Sequence, residues 1–266
     1  MDPRAYDRFT ELLAERLSPD PDVLGLVALG SMSGLPPPPD RFSDHDFFVV
    51  TRAGAQERLR ADAGWLPEPG RIVLWHRETA HGLKAIWDDG HLAELAVFDL
   101  EELALARVNR FRVLLDRADV ASRMEAVRAA TAASAPRPDL RFEAGQLLGA
   151  LLVGGQRAAR GERLSAGLLV RAHAAGHFLR LLAATIPAAP GAVPDDLDPF
   201  RRVERGWPGA ARALDEALAR PPAEAARALL ALADATFREV PLVPWPAAAA
   251  AAVRAALAAA EPGAPP

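Results

Sequence analysis

The sequence predicts an α+β chain of two domains: a mixed sheet with flanking helices over 1–118, then an all-α helical bundle over 119–266. Three observations lead there. Short β-branched and aromatic runs alternate with helix-periodic stretches as far as about Asp119. Beyond that point every apolar pattern has helical spacing. A length of 266 residues, 50% of them apolar, is also at the size where a single core gives way to two.

The elements follow in order. Phe9, Leu12, Leu13 and Leu17 recur at helical spacing across 4–17, and the two prolines of Ser18-Pro19-Asp20-Pro21 end that pattern. Val23 to Leu29 is a short apolar strand stopping at Gly30-Ser31, and after a proline-rich loop Asp46 to Thr51 has strand composition. A helix near 55–63 precedes RIVLWH at 71–76. The runs KAIW and HLAELAVF then flank Asp88-Asp89-Gly90, whose Asp-Gly step predicts a hairpin. A short helix from about Glu101 and a strand around Arg112 to Leu115 complete the sheet. Helices are then predicted over 120–133, 140–160, 165–185, 208–219, 222–238 and 246–259, divided by Pro- and Gly-containing breaks. The alanine run 247–259 is interrupted by Arg254 and is too short to cross a bilayer, so it reads as a packed or frayed terminal helix.

Composition excludes several classes of function. The 31 Lys+Arg against 35 Asp+Glu give a formal charge of -4, which offers no general attraction to a phosphate backbone or an anionic membrane. Neither nucleic acid nor membrane is expected as a partner. With no cysteine, disulfides and thiolate metal sites are impossible, and MDPRAYDRF lacks the apolar core of a signal peptide. A cytoplasmic protein is expected, with its oligomeric state open. Lys84 is the only lysine, so basic roles fall mainly to arginine.

The chemistry concentrates in ALGSMSGLPPPPDRFSDHDFFVVT, residues 28–51. Strand alternation places Asp44 and Asp46 on one face and His45 on the other. Two carboxylates about 7 Å apart along a strand can bridge hard cations that also bind phosphate oxygens. Gly30-Ser31 would let backbone N–H groups and a hydroxyl approach a triphosphate closely.

On these residues the chain resembles the polymerase-β-like nucleotidyltransferase superfamily, in particular antibiotic adenylyltransferases of the aminoglycoside and lincosamide type. Gly30-Ser31 and Asp44-His45-Asp46 match the Gly-Ser and Asp-x-Asp parts of the motif, and DGHLAELAVF at 89–98 matches the third part, with its acid at Glu94. The spacer carries Pro36 to Pro39, and the third acid is Glu where Asp is commoner. The resemblance implies a nucleotidyltransferase domain over 1–118 and a helical acceptor-binding domain over 119–266. It also implies two Mg²⁺ ions held by Asp44, Asp46 and Glu94, ATP as donor, and a small hydroxylated acceptor, an antibiotic among the possibilities. The reaction implied is an in-line attack of the acceptor hydroxyl on the α-phosphorus, with pyrophosphate leaving. Glu94 or Glu143 would take the proton, and Lys84 would contact the triphosphate.

Blander readings stand beside these. Asp99 competes with Glu94 as third acid, on the opposite face of a regular strand. His173 and His177 are spaced i, i+4 on a helix, yet no third ligand accompanies them, so packed or hydrogen-bonded histidines are expected. Arg41, Arg110 and Arg112 are by default surface residues, and Trp75 and Trp87 core residues. Two other functions fit less of the sequence: a protein-modifying enzyme of the toxin-antitoxin type, and a nucleotide-binding regulatory module without turnover.

Overall fold

A computed structural model of the chain describes residues 3–36, 38–134, 138–192, 195 and 198–260. It divides into two compact units, Met1–Ala135 and Pro136–Pro266.

The first unit holds a mixed six-stranded sheet in the order β3-β4-β5-β2-β1-β6. Its strands are β1 (Val23–Leu29), β2 (His45–Thr51), β3 (Ile72–Arg77), β4 (Gly82–Trp87), β5 (Leu92–Asp99) and β6 (Phe111–Asp116). Only β2 and β5 run parallel; every other neighbour is antiparallel. Helices α1 (Pro3–Leu17) and α2 (Gln56–Ala61) cover one face, where Leu13, Leu17 and Leu59 bury against Leu26, Phe47, Val49 and Leu95. Helix α3 (Val120–Ser134) covers the other, with Val120, Met124 and Val127 against Leu24, Val27, Val50 and Phe98. The apolar stripe of α3 is therefore spent on the sheet. The change of pattern at residue 119 marks the end of the strands, and the first compact unit continues past it through α3.

The second unit is helical: α4 (Leu140–Ala159), α5 (Arg163–Leu168), α6 (Ala175–Thr185), α7 (Val203–Gly206), α8 (Pro208–Leu218), α9 (Pro222–Phe237) and α10 (Ala247–Ala259). Asp139 caps α4, its carboxylate accepting from the N–H groups of Arg141 at 2.9 Å and Phe142 at 3.2 Å, which supplies two of the orphan donors at a helix start. The single helix expected over 165–185 is broken in hydrogen-bond register by a π segment at Leu169–Ala174 between α5 and α6. Among the described residues no helix is long and apolar enough to cross a membrane.

The alanine-rich α10 is packed on the bundle through Ala250, Val253 and Leu257, all buried. Its seat on α4 depends on a missing side chain, because a Cβ on Gly155 would lie 2.0 Å from Leu257 Cδ2. Gly155→Ala should therefore force Leu257 out of its buried rotamer and cost about 1–3 kcal/mol. A urea midpoint equal to that of wild type would contradict this packing.

Candidate metal centre

Asp44 immediately precedes β2 and Asp46 is its second residue, so the pleat sends the carboxylates to one side and turns His45 into the core beneath α1. Parallel pairing sets Asp46 directly beside Glu94 of β5, and antiparallel pairing sets Glu94 beside Lys84 of β4. The row lies at the ends of β2 and β5 from which Phe48, Val50 and Phe98 lead away under α3. One carboxylate oxygen from each of Asp44, Asp46 and Glu94 falls within 4.8 Å of the other two. Among the described residues this is the one cluster of three or more potential ligands with such geometry. Three partly exposed carboxylates form a hard, all-oxygen donor set, which suits Mg²⁺ or Mn²⁺ and not a thiophilic metal.

Glu94 owes its place to the hairpin before it. Trp87 N–H donates to His91 C=O at 2.9 Å across the Asp88-Asp89-Gly90 turn, in which Gly90 has φ +81°. The Arg71 guanidinium donates to Asp88 at 2.6 Å and to Asp89 at 3.0 Å, which ties this turn to the start of β3. Asp99, the competing acid, is spent elsewhere. It accepts from Gln56 Nε2 at 2.7 Å and from the N–H groups of Glu101 and Glu102, both at 2.8 Å, and so terminates β5.

Gly30 opens a 3₁₀ turn, Gly30–Ser33, with φ +53°. Its lack of a side chain serves Asp46 as well as the backbone, since a Cβ there would approach Asp46 Oδ2 to 3.0 Å. Ser31 is half-buried in this turn. Ser33, which the motif did not single out, closes it by donating from Oγ to Gly30 C=O at 2.7 Å. Arg110 secures the following loop, its Nη1 donating to Pro36 C=O at 2.7 Å. Arg41 stacks its guanidinium over Phe42, and Trp87 is buried with Nε1 donating to Pro67 C=O at 3.1 Å.

Lys84, expected at the triphosphate, is ion-paired to Glu94 at 2.9 Å and to Glu78 at 3.0 Å. Glu143, the alternative proton acceptor, is buried in the helical unit. One of its oxygens accepts from Arg180 Nε at 2.9 Å and lies 2.6 Å from His177 Nδ1, which is also 2.8 Å from Arg180 Nη2, so this carboxylate is engaged within the helical unit. His177 is thus a hydrogen-bonded histidine, and His173 lines a groove of about 240 Å³ beside it.

Behind the carboxylates lies an aromatic nest that sequence periodicity gave no reason to assemble. His45 stacks on Tyr6 with centroids 4.7 Å apart, its Nε2 lies 3.2 Å from Tyr6 C=O, and its Nδ1 lies 2.7 Å from His91 Nε2. A carbonyl only accepts, so Nε2 of His45 carries the proton and its Nδ1 accepts from His91 Nε2–H. Tyr6 Oη donates to Ser43 C=O, fastening α1 to the residue before Asp44. Tyr6, Phe42, Ser43, Asp44 and His91 also border a cleft of about 500 Å³.

Burial pushes His45 down to about 3 and His91 down to about 4, so both rings are neutral in the folded chain at pH 7. These folded values lie below the unfolded value of about 6.5. The nest therefore contributes its full stability above that pH and loses it as pH falls toward 4 and then 3, by up to about 1.4 kcal/mol per pH unit for each ring. The stability advantage of wild type over His45→Phe should shrink steadily between pH 7 and pH 4. Melting curves with a pH-independent gap would rule this out.

No family model matches the chain, and no curated protein matches it in sequence. Among solved structures it is similar to a nucleotidyltransferase-like protein from Exiguobacterium sibiricum 255-15, at 16% identity and TM-score 0.35, over 87% of this chain and 75% of that one. It is also similar to an aminoglycoside 6-adenyltransferase from Bacillus subtilis, at 15% identity and TM-score 0.30, over 93% of this chain and 90% of that one.

Proposed function

We propose that the chain is a metal-dependent nucleotidyltransferase that moves a nucleoside monophosphate, AMP from ATP in the first instance, to a hydroxyl of a small molecule. The observation that carries this reading is the cross-strand row in which Asp46 and Glu94 stand side by side and, with Asp44, bring three carboxylate oxygens within 4.8 Å. Asp44, Asp46 and Glu94 would hold divalent ions such as Mg²⁺, which when bound neutralise triphosphate charge and lower the pKa of an attacking hydroxyl. The Gly30–Ser33 turn, set against Asp46, offers its backbone to the phosphates at the edge of that row. Glu94, at the end of the row away from the turn, would receive the acceptor's proton. The helical unit is proposed to supply acceptor specificity.

In the transfer itself a bond forms between the acceptor oxygen and the α-phosphorus as the bond from that phosphorus to pyrophosphate breaks. The test is incubation of the full chain with Mg²⁺, α-labelled ATP or GTP and a panel of hydroxylated compounds that includes antibiotics, following labelled product and pyrophosphate together. Stoichiometric appearance of both supports the proposal. Mg-ATP binding without pyrophosphate release would instead point to a nucleotide-binding regulatory module, and label on protein would point to a protein-modifying enzyme.

A further inference from the structure

Lys84, the only lysine of the chain, stands across from Glu94 in the β4–β5 ladder, and its Nζ donates to Glu94 Oε1 at 2.9 Å and to Glu78 Oε1 at 3.0 Å. Glu78 is exposed and lies in the turn between β3 and β4, where its N–H donates to Gly82 C=O at 2.9 Å. An ammonium is a compact point charge, so a divalent ion bonding to Glu94 must do so beside a cation already seated on the same carboxylate. The two cations compete for Glu94. Glu78 offers the ammonium a second partner without any change of strand register.

From this juxtaposition we infer that Lys84 is the resident counter-ion of Glu94 and controls the loading of a divalent ion onto it, with Glu78 taking the ammonium when Glu94 turns to a metal. The inference rests on the metal reading of Asp44, Asp46 and Glu94. Three carboxylates within 4.8 Å repel one another, and a single ammonium on the outermost of them offsets part of that repulsion while leaving Asp44 and Asp46 to the first ion. Lys84 is then a positioning residue whose charge sets an ion-binding threshold. Nothing in this role requires it to touch the reacting atoms.

Mn²⁺ binding to the full-length protein without nucleotide, read from the EPR signal of the free ion, tests the inference. Lys84→Met keeps the aliphatic stem and removes the charge, and it should bind Mn²⁺ about tenfold more tightly, with Lys84→Gln behaving alike. Glu78→Gln should weaken binding by roughly threefold by leaving the ammonium only Glu94, and should have no effect in the Lys84→Met background. Unchanged or weaker binding by folded Lys84→Met and Lys84→Gln, or an equal effect of Glu78→Gln in both backgrounds, overturns the inference and leaves the metal reading standing. Absence of millimolar Mn²⁺ binding from wild type and Lys84→Met alike overturns both.

Discussion

Asp46→Asn is expected to lower nucleotidyl transfer on the order of a thousandfold, about 4 kcal/mol of transition-state stabilisation, without unfolding the chain. Asp46 is the middle member of the carboxylate row, with Asp44 two residues before it and Glu94 beside it on β5, so no neighbour can replace it without moving a strand. The amide has nearly the same volume and keeps one oxygen, which confines the change to charge and to the number of metal-bonding lone pairs. Asp46→Asn should therefore stay folded, with a cooperative thermal transition in EDTA, while transfer is lost. This pairing of effects separates a ligand from a structural residue, since a structural residue would lose both together. A folded Asp46→Asn that still releases pyrophosphate at more than a tenth of the wild-type rate would end the metal assignment.

Much of this arrangement was legible from local patterns. The Asp44-His45-Asp46 alternation predicts two carboxylates on one face, and the Asp-Gly turn at 89–90 predicts the hairpin that delivers Glu94 to the adjoining strand. Both signals are short-range. What stayed hidden depends on which segments meet. The approach of Tyr6 to His45 and His91 joins a helix to two strands remote in sequence, and nothing in the residue spacing announces it. For α3 the periodicity of Val120, Met124 and Val127 marks an apolar stripe but not its partner, so the helix reads equally well as part of a bundle or as the cover of a sheet. The π segment at Leu169–Ala174 escapes for a different reason: one widened turn shifts the apolar stripe too little to disturb a helical pattern. Lys84 was visible as an isolated cation, yet only the register of β4 against β5 sets it on Glu94 and away from the Gly30–Ser33 turn.

Gly30→Ala should reduce transfer by about tenfold, and comparison with Gly34→Ala shows why. Both glycines have left-handed backbones, Gly30 with φ +53° and Gly34 with φ +79°, so alanine at either position costs about 1–2 kcal/mol of backbone strain. Their surroundings differ. A Cβ on Gly30 would lie 3.0 Å from Asp46 Oδ2, tighter than a relaxed contact, whereas a Cβ on Gly34 would meet Arg112 Cδ at an ordinary 3.7 Å. Gly30→Ala must therefore shift the Asp46 carboxylate by a few tenths of an ångström or displace the turn that carries Ser31, at a centre where a misplacement of about 1 Å costs on the order of a hundredfold in rate. Gly34→Ala imposes the same kind of strain away from the carboxylates, and transfer should stay within about threefold of wild type. Denaturation midpoints and Mn²⁺ affinities measured on both variants decide the matter. Similar losses of stability, with Mn²⁺ binding and transfer impaired only in Gly30→Ala, would tie this glycine to the placement of Asp46; equal impairment of transfer in the two variants would reduce Gly30 to a turn-forming residue with no separate part in the site.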